Sequence, residues 1–351
     1  MIKKKYPFDS IYFVWSRWGG VPFFPCLQGA ILCEEKFNLK AHVFSSAAIQ
    51  SEVANIKNSL IFCYKAMINK HCINILKDNN NIVIDNPGDI VSFDTLLNYI
   101  TKSRATVTTL YSEEAIEQVS QNLPNHKFEK ILPSYDLYLD KKTFQDQRNS
   151  SFNIFYGGIK KGPDETQGEL GLNFLKDHKI SEGYFFSMKA GRQLERTSCS
   201  LLNYGLNIAN KGLCKTMNDL ISSDENPSKY SLHYCVRSKY LKNGSTYQQW
   251  LSKPAIKLAT AAGSGSNIIQ SLDPSARELI NEDYPYAIDT STKSFIDNYQ
   301  EICYKYVCKA RETFGTKIWQ DGLNIMKDVE KRTNMLSYMT RILDIGEKYF
   351  N

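Results

Sequence analysis

Long apolar segments are absent from this chain of 351 residues. A membrane-spanning helix needs about 18 consecutive apolar residues, and no run in the sequence reaches that length. The basic N-terminus is followed by a short apolar run, residues 11–14, which is typical of a strand rather than of a signal peptide. With 42% hydrophobic and 23% charged residues, the composition is that of a globular protein.

The chain also lacks cysteine motifs and long runs of charge of one sign. The nine cysteines are odd in number, form no Cys-x-x-Cys pair, and show no Cys/His spacing that suits zinc. We therefore expect reduced thiols in a cytoplasmic protein. The net charge of +6, without a basic cluster interleaved with aromatic residues, argues against a nucleic-acid partner. It suits an anionic ligand, or peripheral contact with the inner face of the inner membrane.

The order of the predicted elements indicates two doubly wound, Rossmann-like α/β domains. Short apolar or β-branched segments alternate with helical patterns, which predicts parallel sheets with helices on both faces. The polar residues 141–152 have no apolar period and predict a linker. We expect a first domain over residues 1–140 and a second over residues 153–330. Residues 331–351 should form a helix that packs back on the first domain.

Each predicted domain opens with a strand that runs into a pair of glycines. The strands are residues 11–15 and residues 153–156, and the glycines are Gly19, Gly20, Gly157 and Gly158. Taken alone, such a pair is typical of an ordinary strand–helix turn. Its repetition is what two similar domains would produce.

The most informative stretch is residues 253–289. A helical segment leads through the turn Gly263-Ser264-Gly265-Ser266 into a short apolar strand that ends at Ser271. Asp273-Pro274-Ser275 then begins another helix, because Asp before a helix and Pro at its first position are start signals. Ligands of open α/β sheets bind at the carboxyl ends of strands, where helix N-termini offer N–H groups to phosphate. We therefore predict a phosphate site in this stretch.

This stretch resembles the donor-binding half of GT-B glycosyltransferases, most closely the bacterial enzymes that build lipopolysaccharide and capsule sugars. The family pattern combines Lys-Pro-x-x-Lys-Leu, a small-residue run with glycine, a strand that ends in serine, and a helix that carries glutamate. The chain departs from this pattern where Asp273-Pro274-Ser275 replaces a Gly-Gly pair, and it has only one of the family's two spaced glutamates. The matching positions are Lys253, Pro254, Lys257, Leu258, Gly263, Gly265, Ser271 and Glu278.

The resemblance implies two domains that face a cleft. It also implies transfer of a sugar from a nucleotide-sugar donor to a saccharide or lipid-linked saccharide acceptor, in the synthesis of lipopolysaccharide, O-antigen or capsule. The glycine pairs would bring backbone close to ligands in the cleft, and Glu278 would bind the ribose. The predicted donor-binding residues, chosen from this resemblance and from cations and backbone N–H groups near strand ends, are Arg237, Lys257, Lys161, Gly263, Ser264, Gly265, Ser275 and Glu278.

Two aspartates of the first domain are candidate catalytic bases. Asp85 ends a predicted strand, residues 81–85, and Asp89 follows it in the turn Asn86-Pro87-Gly88-Asp89. Either could accept the proton of the acceptor hydroxyl, a step that transfer with retained configuration would not strictly need. No Asp-x-Asp occurs in the chain, so we expect neither a metal nor another cofactor.

Other functions remain open at this point. A nucleotide-sugar epimerase or hydrolase of the same fold would act without an acceptor, and a non-catalytic sugar-binding module would bind without turnover. A dinucleotide-dependent oxidoreductase is disfavoured, because the glycine pairs lack the Gly-x-Gly-x-x-Gly spacing.

Overall fold

The structure is a computed structural model. It describes residues 5–15, 24–88, 92–135, 152–155, 206–207, 228, 230–240, 246–247 and 249–350. The chain divides into two compact units. Unit 1 comprises Met1–Leu137, Lys189–Asn218 and Met335–Asn351, and unit 2 comprises Tyr138–Met188 and Asp219–Asn334.

The strands of both units follow the predicted parallel pattern. The strands are β1 Ser10–Trp15, β2 Lys40–Ser45, β3 Ser59–Tyr64, β4 Ile82–Asn86, β5 Val107–Leu110, β6 Phe128–Lys130, β7 Ile154–Phe155, β8 Leu206–Asn207, β9 Leu232–Cys235, β10 Asn267–Ser271 and β11 Ala287–Ile288. In unit 1 the order is β6-β5-β4-β3-β1-β2-β8, and only β8 is antiparallel to its neighbour. In unit 2 the order is β11-β10-β9-β7, with every pair parallel.

Helices alternate with these strands. The α-helices are α1 Gly29–Lys36, α2 Lys70–Asp78, α3 Phe93–Ser103, α4 Glu113–Asn122, α5 Ile256–Gly263, α6 Pro274–Arg277, α7 Lys293–Asp297, α8 Tyr299–Glu312, α9 Lys317–Thr333 and α10 Met335–Tyr349. A π-helical turn, Phe24–Gln28, precedes α1, and a 3-10 turn, Ala48–Ser51, follows β2. None of the described helices is long and apolar enough to cross a membrane.

Side-chain caps decide where several of these helices begin. The side chains of Asn69, Ser92 and Ser112 accept hydrogen bonds from backbone N–H groups in the first turns of α2, α3 and α4. Asp273 does the same for α6, whose first residue is Pro274. Each cap satisfies a donor that the helix cannot pair internally. The helix start that was predicted at Asp273 and Pro274 is confirmed.

The unit 1 sheet is buried on both faces, which explains its nearly unbroken apolar strands. Phe13 and Phe62 lie on the face that packs against α1 and α10, while Ile61 and Val83 lie on the face that packs against α2. Glu129 on β6 ties α10 to the sheet, because its carboxylate accepts hydrogen bonds from three side chains of that helix, Arg341, Lys348 and Tyr349. The last helix of the chain therefore belongs to unit 1.

A close approach of helix and strand organises unit 2. Asn267 Nδ2 at the start of β10 donates to the carbonyl of Trp319 on α9 at 3.0 Å. A Cβ on Gly322 of the same helix would lie 2.6 Å from Asn267 Oδ1, so only glycine permits this spacing. Trp319 is fully buried and packs edge-on against Phe314 and near Tyr286. An aromatic cluster therefore lies beside this contact between α9 and β10.

One domain boundary differs from the prediction. Leu206–Asn207 was assigned to the second domain, but it forms β8 and pairs with His42 and Val43 at the edge of the unit 1 sheet. Within unit 2, α7 and α8 meet at Asn298, which caps both helices. Most of the predicted linker lies outside the described residues.

Candidate donor site and its surroundings

A buried ion pair lies at the carboxyl ends of β9 and β10. Arg237 follows β9, and its Nη1 donates to Asp273 Oδ2 at 2.9 Å, while its backbone N–H donates to Ser271 Oγ at 3.1 Å. Arg237 is 4% exposed and Asp273 is fully buried. The pair joins the ends of neighbouring parallel strands, which is where ligands of such sheets bind.

Asp273 uses its two carboxylate oxygens for different partners. Oδ1 accepts from the backbone N–H of Ala276 at 3.0 Å and caps α6, while Oδ2 accepts from Arg237. Burial raises the pKa of Asp273, whereas the Arg237 charge and the Ala276 hydrogen bond oppose that increase. Because one oxygen is committed to the cap, the guanidinium contacts the carboxylate through one nitrogen rather than as a two-bond fork.

The start of α5 and the neighbouring loops complete this edge. The Ala255 N–H, just before α5, donates to Ser275 Oγ at 3.0 Å, so the amino end of α5 lies beside α6. Further along, the Lys239 N–H donates to the carbonyl of Thr290 at 3.2 Å. The loops that follow β9 and β11 therefore meet beyond the end of β10, the strand between them.

The Gly/Ser turn lies at the other end of β10. The residues Gly263, Ser264, Gly265 and Ser266 connect α5 to the amino end of the strand, and Ser266 Oγ donates to the carbonyl of Tyr230, which precedes β9. A strand of five residues is roughly 13 Å long. The turn and Arg237 therefore cannot contact the same phosphate, and the prediction that joined them in one site is corrected.

Ser275 and Glu278 also differ from the predicted arrangement. The Ser275 hydroxyl is buried and accepts from Ala255, and α6 has only four residues. Glu278 is the C-cap of this short helix, and its carbonyl accepts from Arg332 Nη1 at 3.1 Å. Glu278 therefore follows the helix instead of lying within it, and a ribose contact by its half-buried side chain stays a prediction.

Asp85 is at the carboxyl end of β4, as predicted, but its side chain is not open to a ligand. The carboxylate is 1% exposed, and Oδ1 accepts from Tyr99 Oη on α3 at 3.1 Å. Burial raises the pKa of Asp85 to about 7, although the Tyr99 and Ser103 hydroxyls oppose the increase. This burial disfavours Asp85 as the catalytic base relative to Asp89, and the role of Asp85 stays a prediction.

The next residue along β4 organises the same edge of unit 1. Asn86 Oδ1 accepts from the Gly88 N–H at 3.0 Å and from Tyr111 Oη at 3.1 Å, while its Nδ2 donates to Thr109 Oγ1 at 3.0 Å. Asn86 thus connects the ends of β4 and β5 with the loop that leaves β4.

Several predicted site residues lie outside the described part of the chain. These residues are Gly19, Gly20, Asp89, Gly157, Gly158 and Lys161. Within the described residues, no group of three or more His, Cys, Asp or Glu side chains could hold a metal ion.

Comparison with known proteins reveals likeness in structure alone. No protein-family model and no curated protein matches the chain. A glycosyltransferase from Rickettsia africae matches with a TM-score of 0.59 at 9% identity, over 98% of this chain and 99% of that one. The lipopolysaccharide outer core galactosyltransferase WaaB matches with a TM-score of 0.53 at 11% identity, over 97% of this chain and 99% of that one. HepE from Anabaena, solved with UDP and glucose, matches with a TM-score of 0.53 at 11% identity, over 96% of this chain and 99% of that one.

The chain has the fold of GT-B glycosyltransferases. The predicted α/β class and the resemblance read from residues 253–289 are both confirmed at the level of the fold. The matches cover nearly all of this chain and nearly all of each matched chain, so the likeness includes both units rather than one of them.

Within this fold, the structure brings together only part of the predicted donor set. Arg237, the start of α5 that carries Lys257, and Ser275 lie at one edge of the unit 2 sheet. Sequence reasoning missed Asp273 as the partner of Arg237, although a carboxylate in the place of the family's Gly-Gly pair was visible. Charged residues are rarely fully buried unless they are paired. The aspartate in place of the Gly-Gly pair was therefore the available indication that a cationic partner lies nearby.

Proposed function

We propose that this protein is a glycosyltransferase that moves a sugar from a nucleotide-sugar donor to a saccharide or lipid-linked saccharide acceptor. The GT-B fold supports this proposal, and so does the structure of HepE with UDP and glucose. The likeness to WaaB supports an acceptor that belongs to a bacterial surface polysaccharide, such as lipopolysaccharide, O-antigen or capsule. Such a protein would work in the cytoplasm, with at most peripheral contact with the membrane.

The observation that carries the proposal is the Arg237–Asp273 pair at the carboxyl edge of the unit 2 sheet. A buried ion pair contributes little net stability, because desolvation of both charges offsets their attraction. Buried ion pairs can be replaced by uncharged groups of similar volume at little net cost. A buried guanidinium at a ligand-binding edge is therefore best explained by a ligand that needs it, and arginine suits phosphate oxygens.

The charges around this pair favour an anionic leaving group. Glycosyl transfer from a nucleotide sugar builds negative charge on the departing phosphate. Cations held in fixed positions stabilise this charge strongly where little water is present. Cations outnumber carboxylates at this edge. The cations are Arg237, Lys253, Lys257 and Arg277, and the carboxylates are Asp273, Glu278 and Asp289.

Asp273 has a specific part in this site. The family pattern places a Gly-Gly pair at this position, where backbone N–H groups face the ligand. In this chain the Asp273 carboxylate occupies the N-terminus of α6 itself and holds Arg237 beside it. We therefore assign contact with the phosphate to the guanidinium and to the start of α5, which carries Lys257, rather than to α6.

The remaining site assignments are proposals of the same kind. Gly157, Gly158 and Lys161 would contribute to the donor side with Glu278, while Gly19 and Gly20 would lie at the acceptor side in unit 1. Asp89 takes the place of Asp85 as the proposed base. No metal is required, because the cations supply the charge that a divalent ion would otherwise provide.

The experiment begins with donor binding. Purified protein is melted in the presence of UDP, GDP, CMP and their sugars, since a ligand that binds the folded state raises the melting temperature. The nucleotide that binds is then tested as a sugar donor, with release of free nucleotide as the readout, with and without saccharide and lipid-linked saccharide acceptors.

Four outcomes are distinguishable in this experiment. Acceptor-dependent release of nucleotide supports the transferase. Release at the same rate without any acceptor would instead indicate the hydrolase. Binding without release would indicate the epimerase if the nucleotide sugar is converted to its epimer, and the non-catalytic module if it is unchanged. A protein whose melting temperature no nucleotide or nucleotide sugar changes would rule out the donor site at Arg237 and the proposed function with it.

A further inference from the structure

The helix α6, which Asp273 caps at the donor edge, is too short to hold its own position. It comprises four residues, Pro274–Arg277, which is about one helical turn, and a single turn is unstable without outside contacts. At its amino end, Asp273 accepts from Arg237 and Ser275 accepts from the Ala255 N–H. The position of the whole helix therefore depends also on what holds its carboxyl end.

Arg332, in the last turn of α9, holds the carboxyl end of α6. Its Nη1 donates to the carbonyl of Glu278 at 3.1 Å, and its Nη2 donates to the carbonyl of Leu279 at 2.5 Å. Its Nε contacts Asp328 Oδ2 at 2.9 Å, one turn earlier on the same helix, which orients the guanidinium plane. All three nitrogens of the guanidinium are therefore used, and two carbonyls just beyond α6 receive charged donors.

The helix that carries Arg332 is itself fixed at both ends of β10. α9 has 17 residues, and near its start the carbonyl of Trp319 accepts from Asn267 Nδ2 at the beginning of the strand. Trp319 and Arg332 are roughly 20 Å apart along the helix, and β10 is roughly 13 Å long. α9 therefore runs beside β10 and contacts both the beginning of the strand and the short helix that follows its end. Arg332 thus joins α6 to a long, well-packed helix.

We propose that Arg332 is a positioning residue for the donor site and acts through α6 on the Arg237–Asp273 pair. The Asp273 carboxylate and the carbonyls that Arg332 holds lie at opposite ends of one helical turn, so movement of one end moves the other. Asp273 holds the guanidinium of Arg237 by one hydrogen bond of 2.9 Å, which a small displacement of α6 would break. The effect on the donor rests on the proposed function, whereas the attachment of α6 rests on the geometry alone.

The test is a mutant cycle on nucleotide affinity, measured well below the melting temperature of every variant. Arg332→Gln should bind the nucleotide that the melting screen identifies roughly tenfold more weakly, the lower end of the loss for one charge-assisted phosphate contact. In the double variant Arg237→Met/Asp273→Asn, the asparagine still caps α6 but no guanidinium remains to be positioned. Arg332→Gln should therefore cause no further loss in that background. A purely structural role would lower the melting temperature of both proteins without changing the affinity of the folded state.

Lys317→Gln is the matched control. It removes one positive charge from the first residue of α9, where the side chain is exposed, and should leave nucleotide affinity unchanged. Hydrogen exchange of backbone amides adds a readout that needs no nucleotide. The amides of residues 274–280 should exchange faster in Arg332→Gln than in wild type or in Lys317→Gln, because α6 opens more often once its carboxyl end is released.

The results separate this proposal from the function on which it partly rests. If wild type binds no nucleotide, the proposed function fails, and hydrogen exchange still decides whether Arg332 holds α6, since unchanged exchange would overturn that attachment. If wild type binds nucleotide, an unchanged affinity of Arg332→Gln would overturn the inference. Equal loss of affinity in both backgrounds would overturn it as well, because Arg332 would then act through its charge or on the ligand itself instead of through Arg237.

Discussion

Replacing Arg237 alone should harm the protein far more than replacing the whole ion pair. Arg237→Met would leave Asp273 Oδ2 buried without its cationic partner, while Oδ1 still caps α6. Removing one member of a buried ion pair typically costs about 3–5 kcal/mol, because the remaining charge has no compensation. We expect a loss of that size in the free energy of unfolding of unit 2.

The double variant Arg237→Met/Asp273→Asn should recover most of this loss. Asparagine is as good an N-cap as aspartate, so its Oδ1 can still accept from the Ala276 N–H. No buried charge remains, and methionine keeps the volume of the arginine stem. We expect its stability to lie within about 1–2 kcal/mol of wild type, since buried ion pairs can be exchanged for uncharged groups at little net cost.

Thermal unfolding and turnover measured together test both halves of this reasoning. One kcal/mol corresponds to roughly 2–4 °C in melting temperature for 150–250 residues, so the single variant should melt about 6–20 °C below wild type. Nucleotide release by the well-folded double variant should nevertheless fall roughly ten- to a hundredfold, because a charge-assisted phosphate contact of about 1.5–3 kcal/mol is lost.

Two results would refute this account of the pair. A double variant with wild-type turnover would mean that Arg237 holds no phosphate. A single variant as stable as the double variant would mean that the Asp273 carboxylate does not depend on Arg237 for compensation, contrary to the buried geometry.

Three further predictions concern other parts of the chain. Lys257→Ala should weaken donor binding or turnover roughly ten- to a hundredfold without lowering the melting temperature, and unchanged donor titrations and initial rates would place the phosphate elsewhere. Turnover should persist in EDTA, and loss of activity that a divalent ion restores would contradict metal-independent transfer. Burial raises the pKa of Asp85 from 3.8 to about 7, so the folded state holds a proton that the unfolded state releases between these values. Unfolding free energy should therefore fall as pH rises from about 4 to 7, by up to about 4 kcal/mol, and Asp85→Asn should remove that dependence in denaturant titrations at several pH values.

The features that sequence predicted well depend on neighbouring residues. Alternation of apolar strands with helical patterns predicted parallel sheets, because buried parallel strands require apolar residues on both faces. The start of α6 followed from Asp273 and Pro274, whose effects act within one helical turn. The family resemblance came from residues 253–289, where element lengths and small residues carry the pattern.

The features that sequence did not predict concern side-chain direction and distance. Asp85 was placed at the end of its strand, but pairing with Cys63 puts it on the face covered by α2 and α3. The Gly/Ser turn and Asp273 are close in sequence, and β10 separates them by its whole length. The contact between Arg237 and Asp273 spans 36 positions and two strands, so no local pattern could have predicted it.

The two buried aspartates show how the same residue type serves different chemistry at the two sheet edges. Asp85 faces hydroxyls, which stabilise a carboxylate weakly, and its pKa is raised to about 7. Asp273 faces a guanidinium and a backbone N–H, which both favour its ionised form. An ionised Asp273 can keep Arg237 fixed at the edge of unit 2, because the attraction between them persists without a ligand. The hydroxyls of α3 hold Asp85 in place at the edge of unit 1, so this carboxylate serves the packing of a helix on the sheet, whereas Asp273 positions a cation.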